Sequence, residues 1–284
     1  MAQELDLEAL LSEAELAVRE AGLLFADRAL AGHIHHKNAT DFVTEVDTGV
    51  QELMRRRLAE ILTEARFMGE EQDNSGLDTS GLVWILDPVD GTTNFIHRLG
   101  HSAISLALVA EGRGVLAIIF NPDTNELYTA IAGRGAKLNG REIHVSPTEK
   151  LAEGLIGVGT NPAFRDLADR NFGIMRAAFD RCIDIRRMGA ASLDFCDVAC
   201  GRLDAYAECR LNPWDYAAGL LIVREAGGTV TDLRGGSPDM FTPSDIVAAN
   251  GNVTEEILEV LHNTLMYIFY DPVPSGAGIF LHMT

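Results

Sequence analysis

Helical spacing of apolar residues marks two segments near the start of the chain. In the first segment, acidic residues separate the apolar positions Leu7, Leu10, Leu11, Ala14, Val18 and Ala21. The second segment follows Asp47 and Thr48, whose side chains are both able to cap a helix start, and its apolar positions are Val50, Met54, Leu58, Ile61 and Leu62. The pattern predicts two amphipathic helices, with Asp47 at the entrance of the second.

The period changes between about residues 81 and 144. Short apolar runs separated by Gly, Pro, Asn or Asp occupy 82–86, 104–109, 115–120 and 127–131, which is typical of strands. Asn139-Gly140 is a strong hairpin signal, because a tight primed turn needs positive φ angles at both positions. We therefore predict a largely antiparallel sheet in this region.

From about residue 151, predicted strands alternate with helices. The strands are 154–158, 183–186 and 203–207, and the helices are one through Met175, then 191–199, one after Pro213 and one from about Thr254. We find no repeat and no low-complexity linker, so residues 1–145 and 146–265 are predicted to be packed subdomains. Residues 266–284 have no helical period and are interpreted as a tail, either a strand-and-turn extension or an added segment.

Composition and charge limit the classes of function. Hydrophobic residues make up 47% of the 284 residues and charged residues 23%, an ordinary globular balance. The net charge of -19 disfavours direct binding of nucleic acid and means that a phosphorylated substrate must meet local positive charge, which metal ions can supply. No run approaches the roughly 20 apolar residues of a membrane span. Four cysteines without a CxxC pair, and a start without a basic and apolar leader, indicate reduced thiols and a cytoplasmic protein.

Four short acidic motifs lie at the edges of predicted strands and helices. They are 44–47 (Thr-Glu-Val-Asp), 69–71 (Gly-Glu-Glu), 87–93 (Asp-Pro-Val-Asp-Gly-Thr-Thr) and 213–215 (Pro-Trp-Asp). Each motif alone has the composition of an ordinary turn or surface segment. Their combination is informative, because carboxylates that converge from separate segments form the ligand set of a metal ion.

The motif at 87–93 has the most specific chemistry. Asp87 and Asp90 lie three residues apart around a proline at the end of a predicted strand, so their carboxylates can converge. The same turn exposes the Val89 carbonyl to a cation and the amides of Gly91 and Thr92 to an anion. One turn is therefore able to serve a metal ion and a phosphate together.

A site built from oxygen ligands favours magnesium. Glu70, Asp87, Asp90 and Asp215 offer carboxylates, which suit Mg²⁺, or Mn²⁺ as a substitute, better than zinc, which usually takes nitrogen or sulfur. Without cations such a cluster is repulsive, because neighbouring like charges drive one another toward protonation. The histidines at 33, 35 and 36 offer a transition-metal site as an alternative, but the sequence shows no fourth ligand nearby, so we interpret them as solvated loop residues.

Together the motifs resemble the inositol monophosphatase family. The resemblance lies in 69–71, 87–95 (Asp-Pro-Val-Asp-Gly-Thr-Thr-Asn-Phe) and 214–219 (Trp-Asp-Tyr-Ala-Ala-Gly), with 189–192 (Gly-Ala-Ala-Ser) and 225–228 (Glu-Ala-Gly-Gly) between and after them. It extends from the first helix to about residue 262. It implies an α/β or α+β fold with layered αβαβα architecture of the sugar-phosphatase type, a homodimer, magnesium dependence and lithium sensitivity.

The resemblance also implies metal ligands. Glu70, Asp87 and the Val89 carbonyl would hold one Mg²⁺, and Asp87, Asp90 and Asp215 a second. Glu70 would also share a third, weaker ion.

The catalytic and substrate-binding roles come from the same resemblance. Asp47 and Thr92, together with Glu70, would be catalytic by orienting and activating the attacking water, while the amides of Gly91 and Thr92 hold the phosphate. The sugar or polyol would contact the Ala191 amide and the side chains of Glu208, Asp90 and Asp215.

These assignments predict hydrolysis of a small phosphorylated polyol by in-line attack of water, without a covalent phosphoenzyme. Glu208 and the segment 189–191 favour inositol phosphate. Fructose 1,6-bisphosphate, histidinol phosphate and 3'(2'),5'-bisphosphate nucleotides remain as alternative substrates. A different class also remains open, because some bacterial members of the family act as regulatory partners of the transcription machinery.

Overall fold

The computed structural model describes residues 5–26, 34–36 and 42–270. The helices in these ranges are α1 (Leu7–Gly22), α2 (Glu45–Ile61), α3 (Thr92–His97), α4 (Ala168–Phe179), α5 (Ala191–Ala199), α6 (Pro213–Glu225) and α7 (Thr254–Tyr270). No helix in these ranges combines the length and apolar composition needed to cross a bilayer.

The first large sheet has seven strands in sequential order. They are β3 (Arg66–Gly69), β4 (Leu82–Asp90), β5 (Ala103–Ala110), β6 (Arg113–Asn121), β7 (Glu126–Ile131), β8 (Ala136–Leu138) and β9 (Arg141–Ile143). Only β3 and β4 pair in parallel, which confirms the predicted antiparallel character. The hairpin signal is confirmed as well, because Asn139 and Gly140 have φ angles of 49° and 79°.

The second large sheet has five strands in the order β11-β10-β12-β14-β13. They are β10 (Leu155–Val158), β11 (Asp184–Arg186), β12 (Ala205–Leu211), β13 (Thr229–Asp232) and β14 (Ser244–Ala249). Strands β11, β10 and β12 run parallel, and the remaining pairings are antiparallel. A separate two-stranded ribbon joins β1 (Ile34–His36) and β2 (Phe42–Thr44).

Both sheets are covered on both faces, which gives five layers. In β4, Trp84 and Leu86 pack with α1 and α2, whereas Val83 and Ile85 on the opposite face pack with α5 and α6. Those two helices also contact one face of the second sheet, and its other face packs against α4 and α7. The predicted αβαβα sandwich is confirmed. Because both faces of β4 are buried, its sequence is continuously apolar rather than alternating.

The central layer is closely packed. A side chain at Gly219 in α6 would overlap the ring of Phe195 in α5, so the glycine allows the two helices to approach. This contact fixes the starts of α5 and α6 relative to each other, and both starts donate hydrogen bonds to carboxylates of the cavity described below.

Several predicted boundaries were wrong. Helix α2 begins at Glu45 and not after Asp47, because Thr44 is its N-cap and accepts a hydrogen bond from the Val46 amide. Strand β4 continues through the Asp-Pro segment to Asp90, where an irregularity in its pairing with β5 replaces the expected turn.

Two further corrections concern the second half of the chain. Glu208 lies inside β12 rather than after its end, next to an irregularity in the pairing with β14. Helix α7 continues to Tyr270, five residues into the predicted tail; residues 271–284 lie outside the described residues. So do His33 and the side chains of His35 and His36, on which the alternative metal site was based.

Candidate active site

A cavity of about 680 Å³ lies where the end of β4 meets β12 and the starts of α3, α5 and α6. Nine of the predicted site residues line it: Glu70, Asp87, Val89, Asp90, Gly91, Thr92, Ala191, Glu208 and Asp215. Asp47 is fully buried and reaches the cavity through Thr92. The fold therefore brings together residues from separate parts of the chain.

The end of β4 presents Asp87 and Asp90 from one irregular strand segment. Asp87 pairs with Ser105 and Asp90 with Ala103, so the register shifts between them. Such irregularities change the direction in which a strand's side chains point, and they are frequent beside active sites. The Asp87 Oδ1 accepts a hydrogen bond of 3.0 Å from the Val89 amide.

Gly91 follows this segment and occupies a position that no other residue fits. Its φ is +79°, and a Cβ there would lie 2.9 Å from the Ala190 Cβ and 3.1 Å from the His101 carbonyl oxygen. The backbone at Gly91 is therefore pressed against neighbouring chain, and helix α3 starts directly after it.

Asp90 is held by the start of α5. Its Oδ1 accepts from the Ala191 amide at 3.2 Å, and its Oδ2 accepts from the Ser192 amide at 2.7 Å and from the Ser192 hydroxyl at 2.5 Å. A carboxylate at this position satisfies amides that have no partner within the helix. Ser192 was not among the predicted site residues, although it lies inside the segment 189–192 that supported the family resemblance.

Asp215 is held at the start of α6. Its Oδ2 accepts a hydrogen bond of 2.7 Å from the amide of Asn212, the residue that precedes the helix. This reciprocal capping arrangement, followed by Pro213 at the first helical position, determines where the helix begins. Asp215 is thus fixed to the backbone through one oxygen and lines the cavity.

The predicted pair of Asp47 and Thr92 lies beside the cavity. The Thr92 hydroxyl is 3.3 Å from the Asp47 Oδ1 and 3.0 Å from the Val89 carbonyl oxygen, and both are acceptors. Asp47 also accepts from the amide and hydroxyl of Thr44 through its Oδ2. Burial raises the pKa of Asp47 to about 6 despite these donors.

The carboxyl groups around the cavity destabilise one another's ionised forms. Burial, followed by the charges of Glu70, Asp90 and Asp215, raises the pKa of Asp87 well above its usual value. Burial also raises the pKa of Asp215, and it raises the pKa of Asp90 to about 6 against the donors of Ser192. This combination of burial and like charge is typical of functional sites.

The donor chemistry fits a hard divalent cation. The carboxylates and the Val89 carbonyl all offer oxygen atoms as metal ligands. A cation would offset the repulsion between the carboxylates, which contributes to the raised pKa values. Among the described side chains, no three Asp, Glu, His or Cys residues are arranged to hold one ion. In this structure both oxygens of Asp90 and one oxygen of Asp215 accept hydrogen bonds from protein donors.

Other groups in the wall of the cavity were not predicted from the sequence. Phe164, Arg165 and Arg187 line it, and the guanidinium of Arg210 lies 3.8 Å from the centre of the Phe164 ring. Arg187 donates to the Thr160 hydroxyl at 2.7 Å. Arg165 and Arg187 supply local positive charge at the cavity in a protein whose net charge is -19.

Comparisons with known proteins agree on one family. The model of the Inositol monophosphatase family matches residues 6–266. An inositol-1-monophosphatase of Rhizobium meliloti is 39% identical over 239 residues, 84% of this chain and 86% of that protein. Nus factor SuhB of Escherichia coli is 37% identical over 259 residues, 90% of this chain and 97% of that protein. A solved IMPase/NADP phosphatase complexed with NADP and Ca²⁺ has a TM-score of 0.82 at 25% identity, covering 91% of this chain and 97% of that one.

Proposed function

The chain belongs to the inositol monophosphatase family, and from that premise we propose that it is a magnesium-dependent phosphomonoesterase that acts on inositol monophosphate. The observation that carries this proposal is the convergence of Glu70, Asp87, Asp90 and Asp215 at one cavity. Burial and mutual repulsion make this cluster costly in the absence of cations, which is the expected property of a metal site.

The proposed ligands follow from the groups that line the cavity. Glu70, Asp87 and the Val89 carbonyl would hold one Mg²⁺, and Asp87, Asp90 and Asp215 a second, with Glu70 shared by a third. Bound ions of this kind supply Lewis acidity and lower the pKa of water. A structural relative complexed with Ca²⁺ supports the binding of a divalent cation.

Residues of the chain would bind the phosphate and orient the attacking water. Thr92 contacts Asp47 and the Val89 carbonyl, so its hydroxyl oxygen has a defined position at the cavity wall, where it would orient the attacking water. The amides of Gly91 and Thr92 would bind the phosphate at the start of α3. Asp47, with its pKa of about 6, is suited to accept a proton near neutral pH.

Inositol monophosphate is favoured as substrate by the hydroxyl-binding chemistry of the cavity. Glu208 lines the cavity and offers a carboxylate acceptor, and one relative with 39% identity is named inositol-1-monophosphatase. A nucleotide is the main alternative, because Phe164 offers a stacking surface and a structural relative binds NADP.

The test is phosphate release across a panel of inositol, sugar, histidinol and nucleotide phosphates, each measured with Mg²⁺, with a chelator and with Li⁺. We expect the highest kcat/KM for inositol monophosphate, loss of activity with chelator and inhibition by Li⁺. Preference for a bisphosphate nucleotide would replace the substrate assignment, and absence of release from every phosphate would overturn the proposed activity.

A second function is favoured by the names of several relatives. Proteins called Nus factor SuhB are 37% identical over 259 residues, so this chain is also a candidate partner of the transcription machinery. The charge of -19 favours a basic protein rather than RNA as the partner. We expect an Asp90→Asn variant to retrieve the same transcription proteins as the wild type in a pull-down. Failure of the wild type to retrieve any would remove this candidate.

A further inference from the structure

The carboxylate of Glu208 is held from several directions. Its Oε1 accepts a hydrogen bond of 2.7 Å from the Asn161 amide, and its Oε2 accepts one of 2.5 Å from the Tyr206 hydroxyl. The backbone of Thr160 is a further donor to the same carboxylate. Tyr206 is fully buried, and its ring packs edge-on against Phe195 with the centroids 5.3 Å apart, so its hydroxyl has a fixed position.

Gly159 leaves the space in which this carboxylate lies. A Cβ at position 159 would overlap the Cδ and Oε2 of Glu208. Gly159 follows β10 and donates its amide to the Ala207 carbonyl at 2.9 Å, so the neighbouring backbone of β12 cannot move away without breaking that bond. The carboxylate of Glu208 therefore occupies the space that a side chain at residue 159 would need.

The glycine is not required by the backbone conformation. Gly159 has no positive φ, unlike Gly91 or Gly189, so an alanine is compatible with the local chain geometry. The group that a Cβ would displace is the far end of a flexible side chain, which can move into the cavity. Substitution should therefore move Glu208 rather than unfold the sheet.

The number of donors determines what Glu208 can still bind. An ionised carboxylate has about four acceptor sites, and the protein occupies three of them with the Asn161 amide, the Tyr206 hydroxyl and the Thr160 backbone. One acceptor site therefore remains on a side chain that lines the cavity. It suits one hydroxyl donor of the substrate, in one direction.

We propose that Gly159 and Tyr206 are positioning residues that set substrate selectivity by fixing Glu208 as the acceptor of one substrate hydroxyl. The inference rests on the proposed phosphatase function and explains how the site would distinguish a substrate with this hydroxyl from one without it. A site built to accept a hydroxyl rejects analogues that lack it, because the remaining acceptor site of the half-buried carboxylate is then left unsatisfied. Selectivity therefore depends on a residue that has no side chain and never touches the substrate.

The experiment compares two substrates, inositol monophosphate and 4-nitrophenyl phosphate, the second of which has no ring hydroxyl. We expect Gly159→Ala to lower kcat/KM for inositol monophosphate by about 10- to 100-fold, mainly through KM, and to change that for 4-nitrophenyl phosphate by less than about threefold. Tyr206→Phe should give the same selective loss to a smaller extent, without added volume.

Two controls separate positioning from general damage. Gly154→Ala, at the other end of β10, meets the Leu151 carbonyl oxygen at 3.1 Å and not Glu208, so it should leave both substrates unaffected. In a Glu208→Ala background, Gly159→Ala should add no further loss, because the displaced group is gone.

The outcomes are distinct. Equal losses for both substrates in Gly159→Ala and Tyr206→Phe, or unchanged selectivity in both, would overturn the positioning role. If Gly159→Ala does not fold, the Tyr206→Phe result alone decides. If the wild type hydrolyses neither substrate with Mg²⁺, it is the proposed phosphatase function that fails.

Discussion

Replacing Asp90 or Asp215 with asparagine is expected to lower kcat by at least about 1000-fold, because each substitution removes a charge from the proposed metal site while leaving the fold intact. Metal ions in such sites supply several kcal/mol of transition-state stabilisation, and each 1.36 kcal/mol is a factor of about ten in rate. Asparagine keeps the size of the side chain. It also relieves the like-charge repulsion that, after burial, raises the pKa of both carboxyls. This gain offsets the loss of one acceptor oxygen, which at Asp90 is the partner of the Ala191 amide or of Ser192, so the thermal midpoint should stay within a few degrees of the wild type.

The measurement is steady-state kinetics with inositol monophosphate at saturating Mg²⁺, combined with thermal unfolding of each variant. Asp123→Asn is a matched control, because Asp123 is exposed and lies outside the residues that line the cavity. It should leave kcat unchanged. Near-normal turnover of both Asp90→Asn and Asp215→Asn at saturating Mg²⁺ would show that these residues are not metal ligands.

The second large effect concerns stability without metal. Asp47 and Asp90 have pKa values of about 6 in the folded state, compared with 3.8 for an unperturbed aspartate. The folded state therefore binds more protons than the unfolded state between about pH 4 and 6. The stability that these two groups contribute is complete below pH 4 and is lost as the pH rises through 6. We expect the free energy of unfolding of the metal-free protein to fall between about pH 4 and 6. It should fall less in an Asp90→Asn variant, which lacks one of the two groups.

Magnesium should reverse this loss at neutral pH. An ion at a hundredfold excess over its Kd stabilises the protein by about 2.7 kcal/mol, which raises Tm by on the order of 5 °C for a chain of this size. At pH 5 the same carboxyls hold protons that must leave when the metal binds, so the rise should be less than half as large.

Thermal unfolding with and without Mg²⁺ at pH 5 and pH 7.5 measures both effects. The Asp90→Asn/Asp215→Asn double variant keeps the ligands of the first proposed ion and loses two of the three ligands of the second, so its Tm should rise clearly less with Mg²⁺ than that of the wild type. An equal rise in Tm at both pH values, or an equal rise in the double variant, would contradict binding at this cluster.

Local patterns were sufficient for most of the secondary structure. The helical spacing from Leu7 to Ala21, the apolar runs of the first sheet and the Asn139-Gly140 turn each depend on residues within a few positions of one another, and each is confirmed. One error occurred where a tertiary contact competes with a local signal. Pro88 suggested a turn, but β4 continues past it because β5 pairs with Asp90 beyond the irregularity.

In the candidate site, too, local motifs were predictable from the sequence and tertiary contacts were not. Motifs such as Asp87–Asp90 are visible in the sequence because the residues are adjacent, and the family resemblance assigned roles to Glu70, Glu208 and Asp215 across long separations. The groups that hold these acids were not visible. Ser192 donates to Asp90 from 102 positions away, and the Asn161 amide donates to Glu208 from 47 positions away.

By itself, the sequence determined the periodicity of the elements, the acidic motifs, the oxygen-ligand character of the site and the family. Only the tertiary structure decided that Asp90 is held by the start of α5, that burial and convergence raise the pKa values of the acids, and that Gly159 makes room for Glu208. The physical reason is that periodicity and motifs are properties of neighbouring residues. Burial, repulsion between charges and shared volume arise only when packing brings distant segments within a few ångströms.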